Sequence, residues 1–212
     1  APLRWAATGL HIPALIQEQN GFAGLTNKKL GSRVQCICVA YEGMERFFPA
    51  DKIVMTGNPI RSIIVPATPE MKEAGIKEYG LDPSRKHIFI VGGSLGSARF
   101  NQCMKEWISD GCPGLDGVDV LWQCGKHYRP DIDRFMDEQR TKNPDVARHI
   151  HHSDFIGRME LAYAAADVVI SRSGASSVSE LCAARKAVIF IPSPNVAEDH
   201  QTHNAMALVK KD

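Results

Sequence analysis

A run of small and hydroxylic residues, Ser171-Arg-Ser-Gly-Ala-Ser-Ser-Val-Ser-Glu180, lies between two apolar segments, Ala166-Asp-Val-Val-Ile170 and Ala187-Val-Ile-Phe-Ile191. The first segment is short and β-branched, which reads as a buried strand. Val178, Leu181 and Cys182 then follow at helical spacing. Strand, tight turn and helix are therefore expected. A helix opening in Gly, Ala and Ser leaves its first N–H groups unobstructed. Its terminus carries about half a positive charge, which suits a phosphate. Glu180 sits close enough to reach a sugar hydroxyl. The competing reading is an ordinary helix start, capped by Ser176 or Ser177 with Ser177-x-x-Glu180 as a capping box.

Other residues invite the same two-sided reading. Gly92-Gly-Ser-Leu-Gly96 follows an apolar strand, His87-Ile-Phe-Ile-Val91, and precedes a helix. Glycines there let backbone approach a phosphate, or simply make a tight turn. The spacing is not that of a dinucleotide fingerprint, and no Walker Gly-Lys-Ser/Thr occurs. Arg61, just past a strand in Gly57-Asn-Pro-Ile-Arg61, could bind phosphate in bidentate fashion or be a solvated surface arginine. His149 and His151 would share one face of a strand, a spacing that can bind metal, but no third ligand stands nearby except Asp154. No metal site is assigned. Glu198, Asp199, His200, Gln201 and His203 form a polar cluster at the opening of the last helix. They could face a sugar or form an exposed first turn.

The elements that would position these groups alternate. Strands are expected at 13–19, 34–40, 52–56, 87–91, 119–123, 148–156, 166–170 and 187–191. Helices are expected at 23–30, 70–79, from Phe100 onward, 132–140, 159–166, after Gly174 and from about Glu198. Phe100, Cys103, Met104, Trp107 and Ile108 form the apolar stripe of an amphipathic helix. Such alternation means βαβ units and a parallel sheet with right-handed crossovers. The proline-bearing segment 62–85 reads as a linker with one helix, and the domain boundary is expected near residue 58.

Composition excludes other classes. The 212 residues carry a net charge of +1, so nothing argues for nucleic acid or for a polybasic membrane patch. No apolar run approaches the about 20 residues needed to span a bilayer. The six cysteines form no Cys-x-x-Cys and imply a reducing compartment. The ends, Ala1-Pro-Leu-Arg4 and Ala205-Met-Ala-Leu-Val-Lys-Lys-Asp212, suggest a fragment of a longer protein.

Taken in order, Gln17-Glu-Gln-Asn-Gly-Phe-Ala-Gly-Leu-Thr-Asn27, Gly57-Asn-Pro-Ile-Arg61, Val91-Gly-Gly-Ser-Leu-Gly96, Arg172-Ser-Gly-Ala-Ser-Ser-Val-Ser-Glu180 and His200-Gln-Thr-His-Asn-Ala205 resemble one family. It is the MurG family, the bacterial peptidoglycan N-acetylglucosaminyltransferases that convert lipid I to lipid II. The resemblance covers nearly the whole chain. It implies an α/β glycosyltransferase of GT-B type. Residues 58–212 would form a Rossmann-like UDP-GlcNAc domain, incomplete at its C-terminus, and residues 1–57 the remnant of an acceptor and membrane-side domain.

By position, the resemblance implies that Asn20 and Gln201 contact the sugar and that Arg61 and Ser94 lie around the nucleotide and its diphosphate. It places a backbone contact to uracil at Ile156. Ala175, Ser176, Ser177, Val178 and Ser179 would hold the diphosphate, with Glu180 on the ribose hydroxyls. It implies no cofactor and no metal. The partners would be UDP-GlcNAc, an undecaprenyl-pyrophosphoryl muramoyl-pentapeptide and the cytoplasmic face of the inner membrane, bound peripherally. Three departures stand out. Gln17 replaces a frequent His, Leu95 replaces a frequent Gln, and the family's N-terminal glycine-rich loop, where the catalytic base is expected, has no counterpart. The rival readings are a UDP-GlcNAc 2-epimerase type enzyme, a non-catalytic nucleotide-sugar-binding module and, more remotely, a dinucleotide oxidoreductase.

Overall fold

The computed structural model describes residues 2–194, 196 and 199–209. Its elements begin with α1 (Pro2–Gly9), β1 (Leu15–Glu18), α2 (Leu25–Gly31), β2 (Cys36–Val39), β3 (Ile53–Met55) and α3 (Pro69–Glu78). They continue with β4 (Lys86–Val91), α4 (Ala98–Ser109), β5 (Val118–Gln123), α5 (Arg129–Lys142), α6 (Pro144–Ala147) and β6 (Ile150–Ser153). The last are α7 (Met159–Ala165), β7 (Val168–Ser171), α8 (Ala175–Ala183), β8 (Ala187–Phe190) and α9 (His200–Val209). Every expected strand and helix is present, within a few residues. The short helices α1 and α6 were not anticipated. Each opens on a proline, whose missing N–H is harmless in a first turn. Glu198, the expected opening of the last helix, lies outside the described residues.

The chain divides into two compact units, one of Ala1–Ile60, Ser173–Ser179 and Pro192–Asp212, the other of Arg61–Arg172 and Glu180–Ile191. In the first unit β1, β2 and β3 form a parallel sheet in that order. Ile16, Ile37 and Ile53 share a register row and face Leu30, Val34, Met44 and Phe48. The alternate residues, Leu15, Cys36, Cys38 and Val54, fall on the other face, where Leu15 and Val54 are exposed.

The second unit carries a five-stranded parallel sheet in the order β6-β5-β4-β7-β8. Both faces are buried, as a parallel sheet requires. Ile90, Val120, Trp122 and Ile150 point to one side, with Met104, Ile108, Ile132 and Met136 of α4 and α5. Phe89, Leu121 and Val169 point to the other, with Tyr163 and Leu181. Strand order reverses between β4 and β7, and open α/β sheets bind ligands beyond the carboxyl ends of strands at such a switch point. The glycine loop follows β4 and the Ser/Gly run follows β7.

Segment 62–85 is more than a linker. Ile64 is buried with Phe89 and Val169, and α3 packs on α7. Gly75 makes that packing possible, because a Cβ there would stand 2.3 Å from Leu161 O.

Candidate functional site

The Ser/Gly run turns into α8 at Ala175, with Val178 N–H bonded to Gly174 O at 2.9 Å. Ser176 and Ser177 are therefore inside the first turn and do not cap it. Glu180 closes no capping box. Its carboxylate takes Arg61 instead, Nε to Oε1 at 3.0 Å and Nη2 to Oε2 at 3.1 Å, and Tyr163 Oη donates to Oε2 at 3.4 Å. Glu180 and Arg61, read separately in the sequence, are one forked ion pair. The carboxylate raises the Arg61 guanidinium above its ordinary value. Burial first, and then the Glu180 charge, push the Tyr163 phenol well above its own.

In the first unit two sets of hydrogen bonds hold Ser179 on the one hand and Asn20 with Gln201 on the other. Asn58 Nδ2 donates to Gln19 O and to Ser179 Oγ, both at 3.0 Å, and reaches Ala175 O at 3.4 Å. Asn20 Oδ1 accepts from Asn204 Nδ2 at 3.1 Å, and the same nitrogen donates to Ser173 O at 3.1 Å. Ser173 Oγ donates to Gln201 O at 2.8 Å, and Gln201 Oε1 accepts the Ser193 N–H at 2.9 Å. The carbonyl end of the Gln201 side chain is thus bound to backbone.

In the second unit the loop after β4 is a tight turn, Gly96 N–H to Gly93 O at 2.9 Å. It passes backbone on backbone against the loop after β5. A Cβ on Gly96 would stand 2.2 Å from Cys124 O, and one on Gly125 2.3 Å from Leu95 O. Asn101 holds that second loop, donating to Cys124 O at 2.8 Å and accepting from Trp122 Nε1 at 3.1 Å. Ser97 Oγ caps α4 at Phe100 N–H and accepts from Arg172 Nη2 at 2.9 Å. Arg172 also donates to Ile191 O and lies over the Phe100 ring, so it braces the loops after β4, β7 and β8. Burial lowers its pKa below the arginine norm. Ser94 is exposed on the turn, while the side chain of Ile156 is 2% exposed, in the core, leaving only its backbone for recognition.

His149 and His151 converge on one carboxylate. Both face Asp119, His149 Nδ1 at 2.8 Å and His151 Nε2 at 3.7 Å from its oxygens. Asp119 is the second residue of β5, at the amino end of the strand and away from the carboxyl ends that border the switch point. Among the described residues no group of three His, Cys, Asp or Glu is placed to hold a metal.

The model of the glycosyltransferase family 28 C-terminal domain matches residues 87–212. The chain belongs to glycosyltransferase family 28. A curated relative from Parabacteroides distasonis is 50% identical over 216 residues, all of this chain and 55% of that protein. It is named UDP-N-acetylglucosamine–N-acetylmuramyl-(pentapeptide) pyrophosphoryl-undecaprenol N-acetylglucosamine transferase. A protein of the same name from Phocaeicola vulgatus is 50% identical over 206 residues, 95% of this chain and 51% of its own. The crystal structure of Acinetobacter baumannii MurG superposes with a TM-score of 0.68 at 31% identity, covering 99% of this chain and 55% of that one. The chain thus spans about half the length of the relatives it matches. The MurG resemblance and the GT-B fold class drawn from the motifs stand on these matches.

Within this family 28 chain the two departures have plain structural roles. Gln17 Nε2 donates to Gly57 O at 2.9 Å, tying β1 to the turn before Asn58. Leu95 is 84% exposed on the tip of the glycine turn. Sequence reasoning missed Asn58, Tyr163, Arg172 and Asn204 as individuals. Three of them stand inside the quoted motifs, where only spatial bonds tell their parts apart. Tyr163 lay hidden in an Ala-rich helix.

Proposed function

We propose that the intact protein transfers N-acetylglucosamine from UDP-GlcNAc to the C4 hydroxyl of lipid-linked N-acetylmuramoyl-pentapeptide, with inversion. The observation that carries this reading is the 50% identity, across the whole chain, to a transferase of that name. The hydroxyl attacks the anomeric carbon while the bond to UDP breaks. A base must take the hydroxyl proton, and we assign it to the part of the full-length protein that these residues do not span. Charge growing on the diphosphate would meet the start of α8 (Ala175, Ser176, Ser177, Val178, Ser179), a preorganised set of donors. Ser94 and Arg61 would flank the nucleotide, the Ile156 backbone would meet uracil, and Asn20 and Gln201 would meet the sugar. Glu180 would accept from the ribose hydroxyls, its carboxylate aimed by the Arg61 fork and the Tyr163 hydroxyl.

In the same reading residues 58–212 are the donor half and residues 1–57 the end of an acceptor half. The uncovered apolar face at Leu15 and Val54 supports the latter, since parallel sheets are normally covered on both faces. Work at the cytoplasmic membrane surface, by peripheral attachment, belongs to the same proposal. Among the described residues no helix is long and apolar enough to cross a membrane. The deciding experiment incubates the full-length protein with UDP-GlcNAc and a lipid-linked muramoyl-pentapeptide. Disaccharide-lipid and UDP in equal amounts are expected. Free sugar without acceptor would favour the epimerase type, and donor binding without transfer would favour a binding module.

A further inference from the structure

Asn204 in α9 is fully buried, and its side-chain amide makes three hydrogen bonds. Oδ1 accepts the Gly21 N–H at 2.9 Å, and Nδ2 donates to Ser173 O and to Asn20 Oδ1, each at 3.1 Å. A backbone N–H only donates and a carbonyl only accepts, so this amide has one permitted orientation. The other side of Asn20 is held as firmly. Its Nδ2 donates to Glu18 Oε1 at 3.4 Å, and the same oxygen takes the Asn20 N–H at 3.1 Å. The second oxygen of the buried Glu18 takes the Gly24 N–H and Asn27 Nδ2, both at 2.9 Å. With donors on both oxygens, the Glu18 carboxyl acts as an acceptor throughout. Asn20 is therefore gripped between a donor and an acceptor that cannot exchange places.

We propose that Asn204 is a positioning residue that fixes the Asn20 amide for the sugar. An amide has a second N–H and a second lone pair. With the first of each taken by Glu18 and Asn204, the remaining two point in set directions for a hydroxyl or an N-acetyl group. Asn101, a structural asparagine, spends its bonds within the core, on Cys124 O and Trp122 Nε1. At Asn204 one of three bonds ends on the side chain assigned to the donor sugar. The inference rests on that assignment of Asn20.

The test uses steady-state kinetics of the full-length protein with UDP-GlcNAc, and competitive inhibition by UDP, which lacks the sugar. Asn204→Asp keeps the acceptor for Gly21 N–H and loses both donations. It is expected to lower kcat/KM for UDP-GlcNAc about ten- to a hundredfold and to leave UDP inhibition unchanged. In an Asn20→Ala background the same change should add little, as for two residues acting through one contact. Asn204→Ser, which removes the amide without adding charge, should repeat the pattern. Additive losses, or parallel losses of UDP and UDP-GlcNAc, would overturn the inference and make Asn204 a general strut. If Asn20→Ala is impaired and Asn204→Asp is not, the inference alone fails. If Asn20→Ala is itself unimpaired, the sugar role of Asn20 fails with it.

Discussion

Arg61 and Glu180 meet as two forks, Nε on Oε1 at 3.0 Å and Nη2 on Oε2 at 3.1 Å, across 119 residues of sequence. The arginine side chain is 48% exposed and the carboxylate 13%. Such a pair adds little to stability, about 0.5–1 kcal/mol after solvent screening. It defines the direction of the carboxylate far better than it holds the fold. Arg61→Ala and Glu180→Gln should therefore barely move a urea midpoint, yet each should weaken UDP-GlcNAc binding about tenfold in the full-length protein. Calorimetric titration reads the second effect. Unchanged affinity in both variants would remove the pair from the donor site.

Gly96 separates the two readings of the glycine turn. It combines a φ of 77° with a Cβ position 2.2 Å from Cys124 O. Alanine there must move the loop after β4 or the loop after β5, and Asn101 pins the latter. Gly96→Ala should cost about 2–3 kcal/mol in a denaturant melt. A neutral result would mean that the two loops are not packed backbone on backbone.

A second structural prediction concerns Asp119, which is 1% exposed. Arg85 Nε stands 2.7 Å from Oδ1, off the line of a hydrogen bond, so this contact is an ion pair. His149 Nδ1 lies 2.8 Å from the same oxygen and the Asp82 N–H donates to Oδ2 at 2.8 Å. Removing the charge leaves a largely buried guanidinium without its carboxylate. Asp119→Asn should destabilise the fold by about 3–5 kcal/mol. The measurement is the same melt, and a loss below 1 kcal/mol would show that solvent reaches the pair.

Much of this was legible in the chain, and for definite reasons. β-Branched runs such as Val168-Val-Ile170 and the stripe from Phe100 to Ile108 carry their own periodicity, so the alternation of strand and helix could be read directly. What periodicity does not encode is who bonds to whom. The pairing of Arg61 with Glu180, the grip of Asn204 on Asn20 and the facing of His149 and His151 on Asp119 all join residues from distant elements. The helix start after Gly174 is as expected, and the competing cap reading fails for a local reason. Three nearby hydroxyls, Ser176, Ser177 and Ser179, offer several caps on paper, but Gly174 supplies the first carbonyl of the ladder. Segment 62–85 looked like a linker because its prolines outweighed a few scattered buried residues, Ile64, Gly75 and Leu81.

Tyr79 gives the second unit a dependence on alkaline pH. Its hydroxyl donates to Arg158 O at 2.9 Å, and burial raises its pKa from an ordinary 10 to about 12. A phenolate would face that carbonyl with its donor gone. Because the folded value lies above the unfolded one, the protonated form is favoured by folding. The associated stability is fully present below pH 10 and is lost as pH rises through about 12. With the ring only half buried, the screened contribution is about 1 kcal/mol. Tyr163 acts in the same direction, so the wild-type chain should lose stability steadily above pH 10. Tyr79→Phe deletes the titrating group and should flatten part of that loss, while Tyr79 itself should appear as a late step in the near-ultraviolet titration of tyrosinate. If Tyr79→Phe and wild type decline in parallel, the Tyr79 phenol already ionises freely in the folded chain and burial does not hold it protonated.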